Sequence, residues 1–399
     1  MRLPSDQDSS GRTLGAAEIA RLEAVIASGT LTATKGAQTP ELEGRLASWL
    51  RRASAVACSS GTAAVHAAIA AIDPEPGDEI VTSPITDMGA IAPILFHGAI
   101  PRFADVDPAT GMVTKETVAA VTGSRTAAVV VTHLFGAPAP VDEIVATAGA
   151  VPVIEDCAQA YGAARRGAPL GTIGVLGCFS LQQGKHITTG EGGFVVGDDA
   201  ALMRRVRMFV NKAWPYGESD PDHEFLALNL RISELQSAVA NAQLDRLADT
   251  VTRRRTTVAR FLDAIAVLPG VAVTPVADSD VATWWKVPLL VDPGRVPGGP
   301  GALATELAVH GVASAPRYIQ KPAFACRVFT EQRTFGSSRW PFTLATPEAL
   351  DYSLARFPGT TEYLDRVLVL PWNERYEPEH VDALVAALAA ALHSLGVRE

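Results

Sequence analysis

CFSLQQGKHITTGEGG, Cys178 to Gly193, sets a single lysine between an apolar run and a glycine-rich turn. Gly177 to Leu181 is apolar enough for an inner strand, and Gly184, Gly190, Gly192 and Gly193 allow tight turns that side chains would obstruct. A lysine held there is partly desolvated. Desolvation disfavours the ammonium, lowers the pKa and makes a neutral amine available for a Schiff base with an aldehyde cofactor. By itself the segment also reads as an ordinary loop lysine near a strand end, so the flanking sequence has to decide.

Working outward, apolar runs rich in Val and Ile alternate with Ala-rich helical segments, the pattern of a mostly parallel sheet covered by helices. Strands are predicted at Glu79 to Ser83, Ala127 to His133, Val151 to Asp156, Gly177 to Leu181 and Gly193 to Gly197. Helical patterns occupy Thr62 to Ile72 and Val141 to Ala148, and a long helical region from Ser233 to Val267 closes a large domain, residues 1–267, that includes an N-terminal arm. Residues 268–399 read as a smaller α+β domain. It holds strand-like Trp284 to Val291, a Gly/Pro loop at Pro293 to Gly301 and an amphipathic helix from Pro378 to Leu395. No internal repeat is evident.

Composition narrows the function classes. With 399 residues, 48% hydrophobic and 19% charged, the chain can bury a large core. A formal charge of -9 without a long basic run argues against nucleic-acid binding, which depends on many phosphate contacts from Lys and Arg. The cluster Arg253, Arg254, Arg255 falls in a predicted helix and reads as a solvated face, with one of the three available to an anionic substrate. No apolar stretch is suited to span a bilayer, and Met1 to Ala16 lacks a signal-peptide pattern, so a cytoplasmic protein without membrane contact is expected. Cys58, Cys157, Cys178 and Cys326 lack metal-like pairing, which suits reduced thiols and no metal site.

In an open α/β sheet, ligands sit beyond the carboxyl ends of the strands, and four such ends carry suggestive groups. Ser60, Gly61 and Thr62 precede a helix whose free N–H groups can hold a phosphate, although Ser-Gly-Thr before a helix is also an ordinary cap. His133 could face a ligand or be a hydrogen-bonded core histidine. Asp156 would be a carboxylate on a cleft floor, where it needs a cationic partner such as a protonated pyridine nitrogen; the plainer alternative is a helix cap. Gln159, three residues on, could donate to a ring hydroxylate. At the fourth end, Ser180 adds a hydroxyl and Lys185 an amine. Phosphate cup, acid, amide and lysine together would form a pyridoxal phosphate site.

The segments SSGTAAVHAAI, GDEIVTSPITD, IEDCAQAYGA, CFSLQQGKHITTGEGG and LNLRISELQSAVA resemble the DegT/DnrJ/EryC1/StrS family of sugar aminotransferases, over nearly the whole chain from Ala27 onward. The resemblance implies the fold type I architecture of pyridoxal phosphate enzymes, with a seven-stranded-type sheet between helices and a smaller C-terminal domain. It implies that Lys185 is the Schiff-base lysine, Asp156 the pyridinium partner, Gln159 the ring-hydroxyl contact, and Ser180 with Gly61 and Thr62 the phosphate site. Asn229 matches an asparagine that reaches the cofactor phosphate of a neighbouring subunit, which implies a homodimer. Arg231 becomes a candidate for an amino donor's carboxylate. Where the family usually stacks an aromatic ring on the cofactor, this chain reads Pro84-Ile85-Thr86-Asp87-Met88-Gly89, so Asp87 or Met88 would meet the ring or the substrate.

The expected reaction moves an amino group from glutamate or glutamine to a nucleotide-linked keto sugar or a keto cyclitol, in specialised-metabolite, antibiotic or surface-sugar biosynthesis. Tyr318, Trp214, Tyr216 and Trp372 could line the acceptor pocket or simply pack. Some family members remove a sugar hydroxyl instead, several of them with histidine in place of the lysine; here Lys185 is retained with His186 beside it, another candidate substrate contact. A pyridoxal phosphate-binding regulator is a second alternative, but the segment before Ala16 leaves no space for a helix-turn-helix. A nucleotide-binding dehydrogenase is disfavoured because no G-x-G-x-x-G follows the first strand.

Overall fold

The structure, a computed structural model, describes residues 3–398. Its main sheet has strands β1 (Ser54–Cys58), β2 (Glu79–Thr82), β3 (Ile100–Phe103), β4 (Thr126–Thr132), β5 (Val153–Asp156), β6 (Leu176–Ser180) and β7 (Gly193–Gly197), in the spatial order β1-β7-β6-β5-β4-β2-β3. The inner strands are buried along their whole length, because helices cover both faces, and this is why they read as continuous apolar runs. Strand β7 alone is reversed, pairing antiparallel with both β6 and β1, while β2 to β6 pair in parallel.

That reversal sets the geometry of the lysine segment. Antiparallel neighbours can be joined directly, whereas parallel ones need a crossover of about a dozen residues or more, usually a helix. The connection between β6 and β7 is therefore a compact loop at the carboxyl end of the sheet. Its neck is closed by the Leu181 N–H donating to the Gly192 carbonyl at 2.7 Å and the Gln183 N–H donating to that of Gly190 at 2.8 Å. Gly190 has φ +82°, and a Cβ on Gly193 would lie 2.4 Å from the Ser60 carbonyl oxygen, so both glycines are required by the backbone.

Two strands of the main sheet were not legible in advance. β1 is alanine-rich, with little β propensity of its own, and is stabilised by its pairing with β7. β3 contains Pro101, which the sheet tolerates because β3 is an edge strand. The predicted helical region from Ser233 to Val267 is two helices, Glu234–Leu244 and Leu247–Ile265. The predicted Gly/Pro loop ends earlier than expected, since the helix Gly299–Val309 begins inside it with Pro300 in the first turn, where its missing N–H costs nothing.

A second, fully antiparallel sheet comprises β8 (Val271–Val273), β9 (Lys286–Val291), β10 (Ala315–Pro316) and β11 (Val367–Pro371), in the order β8-β9-β11-β10. The arginine cluster is not one solvated face. Successive helical residues point about 100° apart, and Arg254 turns inward, fully buried, donating to Glu374 Oε2 at 2.7 and 3.0 Å and to the carbonyls of Trp284, Trp285 and Trp372. It ties the Leu247–Ile265 helix to one end of the second sheet, where the start of β9 and the end of β11 lie side by side with Lys286 paired to Pro371. No helix among the described residues is long and apolar enough to cross a membrane.

Candidate active site

A cleft of about 380 Å³ opens at the carboxyl ends of the main sheet, and Lys185 stands in it together with Ser60, Gly61, Thr62, Asp87, Asp156, Gln159, Ser180 and Tyr318. Each group arrives there for a local reason. Ser60 caps the Gly61–Ile72 helix, its Oγ accepting from the Ala63 N–H at 3.0 Å, so the first free amides of that helix face the cleft. The helix lies close on the sheet because its buried inner residues are mostly alanines. At its start the fit is tight: a Cβ on Gly61 would lie 2.7 Å from the Ser180 Cβ.

Asp156 ends β5 and is buried. Its Oδ1 accepts from the Ala158 N–H at 3.1 Å, and it forms no ion pair among the described residues. Burial raises its pKa, against the lowering effects of the Ala158 N–H, Lys185 and His133. Such a carboxylate is completed by a cation placed beside it. Gln159 has its Oε1 taken up by the Phe135 N–H at 2.7 Å, which leaves its NH2 group to donate into the cleft. Lys185 has a pKa lowered to about 8, first by burial and further by Lys286, with Asp156 and Asp87 opposing. Its loop is pinned from outside: the Arg12 Nη1 donates to the Lys185 carbonyl at 2.9 Å, and the Trp285 Nε1 to the Gly184 carbonyl at 2.6 Å.

The parts fit pyridoxal phosphate. Capped helix amides with the Ser180 and Thr62 hydroxyls suit a phosphate, the unpaired buried Asp156 suits a pyridinium nitrogen, the Gln159 amide suits a ring hydroxylate, and the depressed Lys185 amine suits an aldehyde. Behind this set, His133, Glu155 and Cys157 bring possible ligand atoms within 4.8 Å of one another. The His133 and Glu155 side chains are taken up in a hydrogen-bonded network. Glu155 accepts from His133 Nε2 at 3.1 Å and from the Gly171, Ile173 and Gly174 N–H groups, and His133 Nδ1 accepts from Ala139. The core-histidine alternative for His133 is the one observed.

Four other predicted contacts lie outside the cleft of this chain. Met88 packs against the aromatic cluster of Phe103, Phe324 and Phe329. Asp87 does line the cleft, with its Oδ1 accepting from the Gly89 N–H at 2.7 Å. His186 is turned into the core, 1% exposed, with Nε2 facing the Thr283 carbonyl at 3.2 Å; alternation along the loop sends it opposite to Lys185. Asn229 is exposed on the segment that pairs with Asn211, and Arg231 points to Asn211 Oδ1 at 3.4 Å. Of the candidate aromatics only Tyr318 lines the cleft; Trp372 is a core residue bonded to Thr257, and Trp214 meets the His223 ring at a tilt. Sequence reasoning missed Trp285, Gln182 and Glu191, which also line it. Trp285 was visible only as an aromatic at the mouth of a predicted strand.

The family described as the DegT/DnrJ/EryC1/StrS aminotransferase family matches residues 12–389. MosB of Rhizobium meliloti is 30% identical over 286 residues, 67% of this chain and 56% of that protein. EpsN of Bacillus subtilis (strain 168), whose name proposes a pyridoxal phosphate-dependent aminotransferase, is 33% identical over 256 residues, 61% of this chain and 65% of that protein. The matched stretch is thus less than two thirds of either relative. Among solved structures, the sugar aminotransferase CalS13 from Micromonospora echinospora superposes with a TM-score of 0.81 at 27% identity, covering 95% of this chain and 98% of that one.

Proposed function

Because the chain belongs to the DegT/DnrJ/EryC1/StrS aminotransferase family, we propose that it is a pyridoxal phosphate-dependent aminotransferase that moves nitrogen from glutamate or glutamine to a ring ketone, either a nucleotide-linked keto sugar or a keto cyclitol. The observation that carries this reading is the convergence of a recessed lysine, a buried unpaired aspartate and a capped helix start on one cleft. The bound cofactor supplies an aldehyde to hold the nitrogen and a ring that withdraws electrons from the adjacent carbon.

The chain's residues do the rest. Lys185 Nζ would hold the cofactor's aldehyde and, when free, would carry a proton to and from the donor's α carbon, serving the ketone in the opposite sense. A pKa of about 8 leaves a useful fraction of that amine neutral near neutral pH. Asp156 would keep the cofactor's ring nitrogen protonated, the Gln159 amide would orient the ring, and Ser60 to Thr62 with Ser180 would hold the phosphate. In this reading the acceptor's ring would contact Asp87, Glu191 and Tyr318, which line the same cleft.

The active unit in this reading is a homodimer in which Asn229 meets the cofactor phosphate of the partner. Support comes from the chain itself: Asn229 and its neighbours Leu226 and Leu228 are exposed, Leu226 by 95%, on a segment that one chain leaves uncovered. Sedimentation should give a dimer, and a fully active monomer would refute it. The activity is tested by screening amino donors against nucleotide keto sugars and inososes with detection of the amine product. Transfer of nitrogen is expected; release of water without it would identify a dehydratase instead.

A further inference from the structure

The Lys185 amine has an unassigned neighbour. Its Nζ lies 4.0 Å from the centre of the Trp285 ring, and among the described residues it makes no hydrogen bond and no ion pair. A partly buried ammonium without a hydrogen-bonded counter-ion is costly, and the face of an indole is the strongest of the aromatic platforms for one. The same ring lies 4.7 Å from the ammonium of Lys286.

The indole is held to this position on several sides. Its Nε1 donates to the carbonyl of Gly184, the residue before the lysine, at 2.6 Å. Phe135 stacks on it at 6.3 Å, and Tyr318 meets it edge-on at 5.8 Å. The backbone is fixed as well. Trp284 is left-handed with φ +53°, a conformation a bulky residue adopts only under constraint. The amides of Trp284 and Trp285 press on Gly136, where a Cβ would lie 2.8 Å from each nitrogen.

We propose that Trp285 is a positioning residue, the resting platform for the free Lys185 amine, and that Lys286 on the same ring weakens its hold. The inference rests on Lys185 being the cofactor lysine, since that residue must leave and regain the cofactor in each half of the reaction. A lysine free to wander would lose the geometry that proton transfer at carbon demands. The platform keeps the amine within reach of the donor carbon, and the second ammonium keeps the resting place from becoming a trap. The other charges around the amine are Asp156 from the end of β5, Asp87 from the turn after β2, and Asp6 and Arg12 from the N-terminal arm.

The test uses the full-length chain freed of cofactor, so that its readout does not depend on turnover. Acetylation of Lys185 by a limiting reagent is followed against pH by peptide mass spectrometry, which gives the midpoint at which the amine becomes neutral. For the natural sequence this midpoint is expected near 8, well below that of exposed lysines. In Trp285→Leu, which keeps the site apolar but removes the ring face, the midpoint should fall by about half a unit to one unit, while Trp285→Phe should fall between. In Lys286→Met it should rise. Opposite shifts support the platform. Midpoints that do not move, or move in the same direction, overturn it. If Trp285→Leu does not fold, Trp285→Phe, which keeps a weaker ring face, decides the matter: a midpoint that does not fall overturns the platform, whereas the rise in Lys286→Met reports only the like charge beside the amine. Failure of the functional reading would appear separately, as cofactor that does not attach to Lys185 while these shifts persist.

Discussion

Lys185 shows how one residue couples stability to chemistry. Folding lowers its pKa from 10.5 to about 8, mainly by burial. Between those values the unfolded chain binds more protons than the folded one, so the lysine's contribution makes stability rise with pH through that window. Below about 8 the folded chain carries an ammonium in a poorly solvated place. Lys185→Met should therefore stabilise the cofactor-free protein at neutral pH by on the order of 2 to 3 kcal/mol, after allowance for solvent access, and the gain should shrink as pH rises toward 10.5. Urea unfolding at several pH values measures this, and a pH-independent difference would contradict it. The lysine, the aspartate and the glutamine were legible in the sequence because each follows an apolar strand. Trp285 was not, since an aromatic beside a strand is far more often a core residue and its role depends on a contact about 100 residues away in the chain.

At the scale of elements, the reversed strand β7 and the helix Gly61–Ile72 build the site between them. The alternation of strands and helices was readable from apolar runs, but the reversal was not, because a buried antiparallel strand has the same apolar pattern as a parallel one. The tight contact at Gly61 makes a direct prediction. Gly61→Ala would bring a methyl group to 2.7 Å from the Ser180 Cβ and push the helix start off the strand end. Cofactor retention on dialysis should drop by about tenfold or more, while the melting temperature changes little. A second prediction concerns the Leu247–Ile265 helix, which is fastened to the second sheet through Arg254 and Glu374. Glu374→Gln leaves a fully buried guanidinium without its counter-charge and should cost about 3 to 5 kcal/mol of folding stability in denaturant titration. A loss below about 1 kcal/mol would mean that the backbone carbonyls alone satisfy Arg254. The sequence hid this clamp because three consecutive arginines on a helix suggest a solvated face, and only the tertiary packing says which one turns inward.

Over the whole molecule, two sheets meet around the lysine loop. The main sheet presents Asp156, Ser180 and the capped helix, and the second contributes Trp285 and Tyr318 to the opposite wall of the same cleft. The first wall could be read from motifs whose spacing is short; the second is assembled by strands far apart in the chain, and only folding brings it there. The N-terminal arm completes the arrangement by holding the lysine loop from behind through Arg12. All of this makes sense if the cleft exists to attach one aldehyde cofactor to one amine. The direct test is to incubate the purified protein with pyridoxal phosphate, reduce with borohydride to fix any lysine–cofactor bond, and map the added mass by peptide sequencing in the mass spectrometer. The account predicts a single modified site, Lys185, and none in Lys185→Ala; cofactor mass on another lysine, or on none, would contradict it.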